Sequence, residues 1–196
     1  MLIDLHCHTC PLSACSSLTL DDLVLRARVR GLDGIVLTEH DRWWHPRELA
    51  AARERTSMLV LGAVELSTDR GHILAFGLRP RATPTVTLAE AAAAARADGA
   101  LLYLAHPARD GLLRLDDAHL SGLASIEALN GSDPVLRNGS ATGLLSRFAL
   151  PGIGGSDAHT VDEVGRAATR FHGHVHDEAS LLDALRAGAY EAVWMG

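Results

Sequence analysis

Met1-Leu2-Ile3-Asp4-Leu5-His6-Cys7-His8 is the stretch whose reading decides the fold. A short apolar run closed by polar residues predicts a buried strand with chemistry at its C-terminal end. Side chains alternate faces along a strand, so residues two apart point the same way. His6 and His8 are therefore expected to project together, close enough to hold one metal ion. Taken alone, the pair also reads as two solvated or capping histidines. The later strand ends alter that reading because they carry matching groups.

Apolar runs and helix signals alternate along the chain. Thr19 with Asp22 predicts a helix N-terminus and Gly31 its stop, with Leu20, Leu23, Val24 and Ala27 at helical spacing. Asp33 to Thr38 reads as a buried strand ending in Glu39-His40-Asp41, and Pro46 opens a helix reaching about Arg55. Met58 to Val64 reads as the third strand, ending in Glu65, and Ile73 to Phe76 as a further strand after Gly71-His72. Thr87-Leu88-Ala89-Glu90 is a capping box for an Ala-rich helix that ends before Gly99. Leu101 to Ala105 leads into His106-Pro107, Ser125 to Leu129 into Asn130-Gly131, and Ile153 to Ser156 into Asp157-Ala158-His159. Asp133-Pro134 caps a helix containing Gly139 and Gly143, and Thr160 with Glu163 forms another capping box. Ala167 to Phe171 reads as the seventh strand, Asp177 to Gly188 as the last helix, and Tyr190 to Trp194 as the closing run.

This alternation implies an α/β fold, a parallel sheet with helices outside, and a closed barrel is its natural solution. Continuously apolar strands fit burial on both faces. The polar residues gather at strand C-terminal ends, where barrel enzymes place their sites. The 196 residues suggest one compact domain over 1–196, with a core that is mainly aliphatic because aromatics make up only 4%. The formal charge of −6 argues against an extended nucleic-acid surface. No apolar run is long enough to span a membrane, and no basic segment or cleavage site suggests a signal peptide. Cys7, Cys10 and Cys15 are odd in number and clustered, unlike a disulfide framework, so a reducing cytoplasm is the expected setting.

His6, His8, His40, Glu65, His106, Asp157 and His159 stand at these strand ends, and His72 begins the strand after Glu65. A zinc site uses three or four protein ligands, so these donors exceed one ion's need. A multinuclear site follows, in which Glu65 or Asp157 can bridge two ions. Paired ions suit displacement at phosphorus, clamping the attacking and leaving oxygens and activating a water.

The chain resembles the PHP (polymerase and histidinol phosphatase) family of metal-dependent phosphoesterases. The resemblance is carried by Asp4-Leu5-His6-Cys7-His8-Thr9, Leu37-Thr38-Glu39-His40-Asp41, Gly62-Ala63-Val64-Glu65, Gly71-His72-Ile73-Leu74, Leu104-Ala105-His106-Pro107, Ile126-Glu127-Ala128-Leu129-Asn130 and Gly155-Ser156-Asp157-Ala158-His159. It implies a distorted (β/α)7 TIM-like barrel and two or three divalent ions. By motif, His6, His8, Glu65 and Asp157 would hold the first ion. Glu65 would bridge to a second at His72 and His106, and His40 and His159 would hold a third. Glu65, Asp157 and His159 would carry catalysis, hydrolysing a phosphate ester with a metal-bound hydroxide. The substrate expected is a small phosphorylated molecule, such as a nucleotide or sugar phosphate, or an oligonucleotide end. Hydrolysis of amides or esters, and a metal-stabilised binding domain without turnover, are the alternatives.

One loop departs from the family pattern. Cys10-Pro11-Leu12-Ser13-Ala14-Cys15 lies where many members place a third-metal ligand, so Cys15 is either a thiolate ligand or a small buried cysteine. Arg42 and Arg109 follow proposed ligands closely, and each either binds a phosphate oxygen or is solvated. Trp43 and Trp44 read as rim packing or as a wall for a base or sugar. His45 and His119 read as solvated, and His172, His174 and His176 as a polar strand exit. Zinc, iron and manganese all suit this donor set. Oligomeric state is not legible.

Overall fold

The computed structural model describes residues 1–80, 87–109 and 120–196. The expectation for His119 lies outside these residues. In chain order the elements are β1 (Leu2–Cys7), α1 (Leu20–Val29), β2 (Gly34–Leu37), α2 (Pro46–Thr56), β3 (Leu59–Gly62), β4 (Val64–Thr68), β5 (Gly71–Phe76), α3 (Leu88–Asp98), β6 (Leu101–Leu104), β7 (Ser125–Asn130), α4 (Val135–Thr142), β8 (Ile153–Gly155), β9 (Ala167–Phe171), α5 (Glu178–Ala187) and β10 (Tyr190–Trp194).

Helix boundaries follow the capping signals. Thr19 caps α1 by accepting from the Asp22 amide, and Thr87 with Glu90 completes a reciprocal box on α3. Gly99 and Gly188 end α3 and α5 in the left-handed conformation that suits glycine. The Thr160–Glu163 box forms only in part. Glu163 accepts from the His159 and Thr160 amides, but turns follow rather than a helix, and Gly165 adopts φ +69° before β9 begins.

The strands form two mixed five-stranded sheets, ordered β10-β9-β1-β2-β3 and β4-β5-β6-β7-β8. The expected (β/α)7 barrel is therefore not what forms: no continuous ladder closes the described strands. Two features of the chain account for the difference. Only Asp69 and Arg70 separate β4 from β5, and so short a connection produces an antiparallel pair. β9 also runs antiparallel to both β1 and β10. The expected third strand divides at Ala63, so Glu65 lies within β4 of the second sheet rather than at the end of β3.

The sheets enclose a core of Ile3, Leu5, Val36, Leu61, Leu74, Phe76, Tyr103, Ile153, Phe171 and Tyr190. Each fully buried aliphatic side chain there contributes roughly 1.5–3 kcal/mol. The scarce aromatics are used here: Phe76 meets Tyr103 edge to face at 5.7 Å, and the Tyr103 and Tyr190 hydroxyls lie 2.8 Å apart. α1 and α2 cover the outer face of the first sheet and α3 that of the second.

The sheets meet at the polar strand ends through isolated bridges, Cys7 with Ala158 and His40 with Glu65. β8 approaches β1 closely. A Cβ on Gly155 would stand 2.4 Å from the His6 Cβ, and one on Gly154 would stand 2.4 Å from the Ala168 carbonyl oxygen. Only glycine lets the backbone pass at this distance. The approach delivers Asp157 beside His6, whose carbonyl accepts from the Asp157 amide at 2.7 Å.

Candidate metal centre

The two bridges bring eight side chains to one place. His6, His8, Glu65, His106 and Asp157 are buried, while His40, His72 and His159 keep 30%, 34% and 27% of their side-chain exposure. The partly exposed imidazoles mark the side open to solvent. His106 (φ +27°) and Asp157 (φ +52°) adopt left-handed backbone that such residues rarely take. Their surroundings hold this strain in place, as is common at functional sites.

Glu65 stands at the centre, and its two oxygens face different histidines. Oε2 lies 3.5 Å from His6 Nε2, 3.1 Å from His8 Nε2 and 3.0 Å from His40 Nδ1. Oε1 lies 3.1 Å from His72 Nδ1 and 3.0 Å from His106 Nε2. Asp157 Oδ1 is 3.4 Å from both His6 Nε2 and His8 Nε2. His159 stacks on His8 with ring centres 4.4 Å apart, and its Nδ1 is 2.9 Å from the Asp157 carbonyl oxygen. Among the described residues, three triples have donor atoms within one ion's reach: His6/His8/Asp157, His40/Glu65/His72 and His8/His40/His159.

The donors fit divalent cations. Glu65 Oε2 is buried without an aligned hydrogen bond, although three imidazole nitrogens crowd it. A buried carboxylate oxygen left so is costly unless a cation serves it. Imidazole and carboxylate donors suit zinc, iron and manganese. The fields agree with this. Burial opposes charge on His6, but Glu127, Asp157 and Glu65 outweigh it and raise its pKa well above the usual imidazole value. Burial likewise opposes ionisation of Glu65, yet His6 and the hydrogen bonds of His106, His6 and His72 hold its carboxyl well below the usual range. Asp157 is depressed too: its burial is outweighed by His6 and His8.

With this geometry in place, the comparisons are informative. A family model described as PHP-associated matches residues 136–190. The chain is similar to a Bifidobacterium adolescentis protein provisionally described as a metal-dependent phosphoesterase, with TM-score 0.67 and 20% identity over 95% of this chain and 96% of that one. It is also similar to a two-domain Bacteroides vulgatus protein containing a PHP-like metal-dependent phosphoesterase region, with TM-score 0.74 and 22% identity over 99% of this chain and 64% of that one. The matched family model spans residues 136–190, and these two structures, at 20% and 22% identity, show that the chain shares their fold. A third similar structure is an amidohydrolase from Chromobacterium violaceum with bound sulfate, at TM-score 0.71 and 18% identity over 99% of this chain and 98% of that one. No curated protein matches the chain.

The remaining candidate residues take the following places in the structure. Cys15 is exposed rather than buried, and it belongs to none of the three triples found among the described residues. Arg42 is exposed on the loop after His40. Arg109 does reach the cluster, where it clamps protein groups: Nε donates to Asp133 at 2.9 Å, a terminal nitrogen pairs with Asp157 Oδ2 at 2.9 Å, and the other donates to Asn130 Oδ1 at 3.2 Å. His45 caps α2, accepting from the Arg47 amide. His172, His174 and His176 are exposed and lie outside the triples. The Trp43 indole donates to the Leu78 carbonyl and the Trp44 indole to Glu39. Both line a cleft of about 630 Å³ that includes none of the eight clustered residues.

Two buried glutamates had no role in the sequence reading. Glu127 meets His6 Nδ1 at 2.9 Å and accepts from the His106 amide at 2.8 Å. Glu39 accepts from the Thr9 amide, the Ser13 hydroxyl and the Trp44 indole. Both residues sit in the motifs that carry the family resemblance. The available signal was a carboxylate within or directly after an apolar strand, which folding buries only with partners.

Proposed function

We propose that this chain is a metal-dependent hydrolase that cleaves a small phosphate ester: a nucleotide, a sugar phosphate or an oligonucleotide end. The observation that carries the reading is Glu65, with two oxygens serving separate sets of histidines. His6, His8, Glu65 and Asp157 would hold one divalent ion, and His72 and His106 with Glu65 a second. His40 and His159 would complete a third site. Such ions supply a water of lowered pKa and neutralise charge developing on phosphoryl oxygens. Glu65 and Asp157 would provide the negative charge that offsets the repulsion between bound ions. His159 stands at the open side with Nδ1 committed to the Asp157 carbonyl, which leaves Nε2 to hold an ion or exchange a proton. Arg109 fixes Asp157 while its other two guanidinium nitrogens hold Asp133 and Asn130.

The charge of −6 disfavours long nucleic-acid tracts and supports small or terminal substrates. Three free cysteines support a reducing, cytoplasmic setting, and no described helix is long and apolar enough to cross a membrane. The similarity to an amidohydrolase supports a second reading, attack on a carbonyl by the same centre. The test is reconstitution with zinc, manganese or iron(II), then screening of phosphate esters for phosphate release alongside amide and ester substrates. Release of phosphate supports the first reading, and hydrolysis of amides or esters alone supports the second. Tight metal binding with no turnover in either screen points to a binding domain.

A further inference from the structure

We infer that Glu127 and Glu39 are positioning residues, each locking one histidine of the His6-Cys7-His8 motif in the tautomer that turns its Nε2 lone pair inward. The inference rests on the metal-centre reading, but its evidence lies in hydrogen bonds outside the donor triples.

Glu127 is fully buried on β7. Its Oε2 accepts from the His106 amide at 2.8 Å and from Asn130 Nδ2 at 2.9 Å. The Asn130 amide cannot be turned over, because its Oδ1 already accepts from the Ser132 amide and from Arg109. Oε1 faces His6 Nδ1 at 2.9 Å. A carboxylate only accepts, so Nδ1 carries a hydrogen, and whenever the ring is neutral the lone pair is on Nε2.

His8 reaches the same state through a relay. Ser13 gives its one hydroxyl proton to Glu39 Oε2. Ser13 Oγ must then accept from His8 Nδ1, 3.3 Å away. Glu39 is itself fixed by Thr9 and by the Trp44 indole at 2.9 Å. Two glutamates from opposite sheets thus impose the same tautomer on neighbouring histidines.

The discriminating variant is Glu127→Gln. A glutamine must keep its oxygen on the two donors, His106 N–H and Asn130 Nδ2, since turning its NH2 toward them opposes donor to donor. Its NH2 then faces His6 Nδ1 and donates to it. His6 is driven to the opposite tautomer, with a hydrogen on Nε2 where the lone pair stood. Nitrogen-15 NMR of the imidazoles in mildly alkaline solution reads this directly, and zinc affinity by chelator competition reads its consequence. The expected result is a pyrrole-type Nε2 signal for His6 and zinc affinity lower by roughly 10–100-fold. Ser13→Ala removes no buried charge and serves if Glu127→Gln does not fold. It should release the His8 tautomer and weaken zinc in the same direction. An unchanged tautomer with wild-type zinc affinity in the folded variants would overturn the inference. If wild-type protein bound no zinc, the metal-centre reading would fail, and the NMR signal would still decide the tautomer.

Discussion

Nε2 of His6 stands 3.0 Å from Nε2 of His8. Two imidazole nitrogens at that separation need a cation or a proton between them, because facing lone pairs repel. Without metal, protons fill this role, in keeping with the raised pKa values of both residues. Metal binding must displace them, so it should release protons. Calorimetry of zinc binding in buffers of different ionisation enthalpy should show a buffer-dependent heat. Equal heats in all buffers would contradict this picture.

Metal should also stabilise the fold. A ligand present at 100 times its Kd adds about 2.7 kcal/mol. Thermal melting should therefore rise by several degrees on loading with zinc or manganese and fall again with chelator. Elemental analysis of loaded protein should give at least two ions per chain. One ion, or none, would rule out the multinuclear centre.

Glu65→Gln keeps the side chain's shape and removes the charge that serves both sets of histidines. One ion should be lost or weakened, and turnover should fall by on the order of 100-fold or more. Circular dichroism should stay native-like, since the core between the sheets is untouched. Wild-type turnover at saturating metal would exclude Glu65 as the bridge.

Arg109→Lys separates positioning from substrate binding. Lysine cannot reproduce a fork that reaches Asp133, Asp157 and Asn130 together. If Arg109 chiefly holds Asp157, metal affinity and kcat should both fall by roughly 10-fold or more. A rise in KM alone would assign the arginine to the substrate instead. Cys15→Ser, by contrast, should leave metal content unchanged, because the thiol is exposed and outside every triple.

The tyrosine pair contributes to the loss of stability in alkali, alongside the buried Cys7 thiol, whose pKa burial also raises. Burial pushes the Tyr103 hydroxyl well above its usual pKa, and burial pushes Tyr190 up to about 12. A group whose folded pKa is raised binds its proton more tightly when folded. Its stabilisation is complete below the unfolded value of ~10 and is lost as pH rises through the folded value. The tyrosines' own contribution to the denaturant midpoint should hold up to about pH 10 and then fall, which the difference between wild type and Tyr190→Phe isolates. Tyr190→Phe should soften that fall while costing roughly 1–3 kcal/mol at neutral pH, since the Pro151 carbonyl and the Tyr103 hydroxyl lose their partner.

Strands were legible wherever an apolar run ended in a polar group, and this located His6, His40, His106 and Asp157 at their ends. Pairing direction was not legible. Asp69-Arg70 between two apolar runs reads as an ordinary loop, yet it forces β4 and β5 antiparallel and breaks the barrel. Glu127 and Glu39 were visible as charged residues beside apolar runs, but their partners were not. His6 and Glu127 are 121 positions apart, and only the folded sheets bring them together. Arg109 shows the same limit: neither of its readings, phosphate ligand or solvated arginine, could anticipate Asp133 and Asn130 closing around it.

The close passage of Gly155 against His6 also fixes when the centre can exist. The donors span residues 6 to 159, so the site closes one of the longest loops in the described chain. Long-range closure is slow and comes late in folding. During synthesis, β1 emerges with two histidines and no carboxylate from β8 to join them. A nascent chain that stops before residue 153 therefore carries six of the eight donors but none of the backbone that presses Asp157 onto His6. Metal capture at His6, His8 and Asp157 is then a late report that distant parts of the chain have met, whereas His40, Glu65 and His72 come together without residues beyond 153.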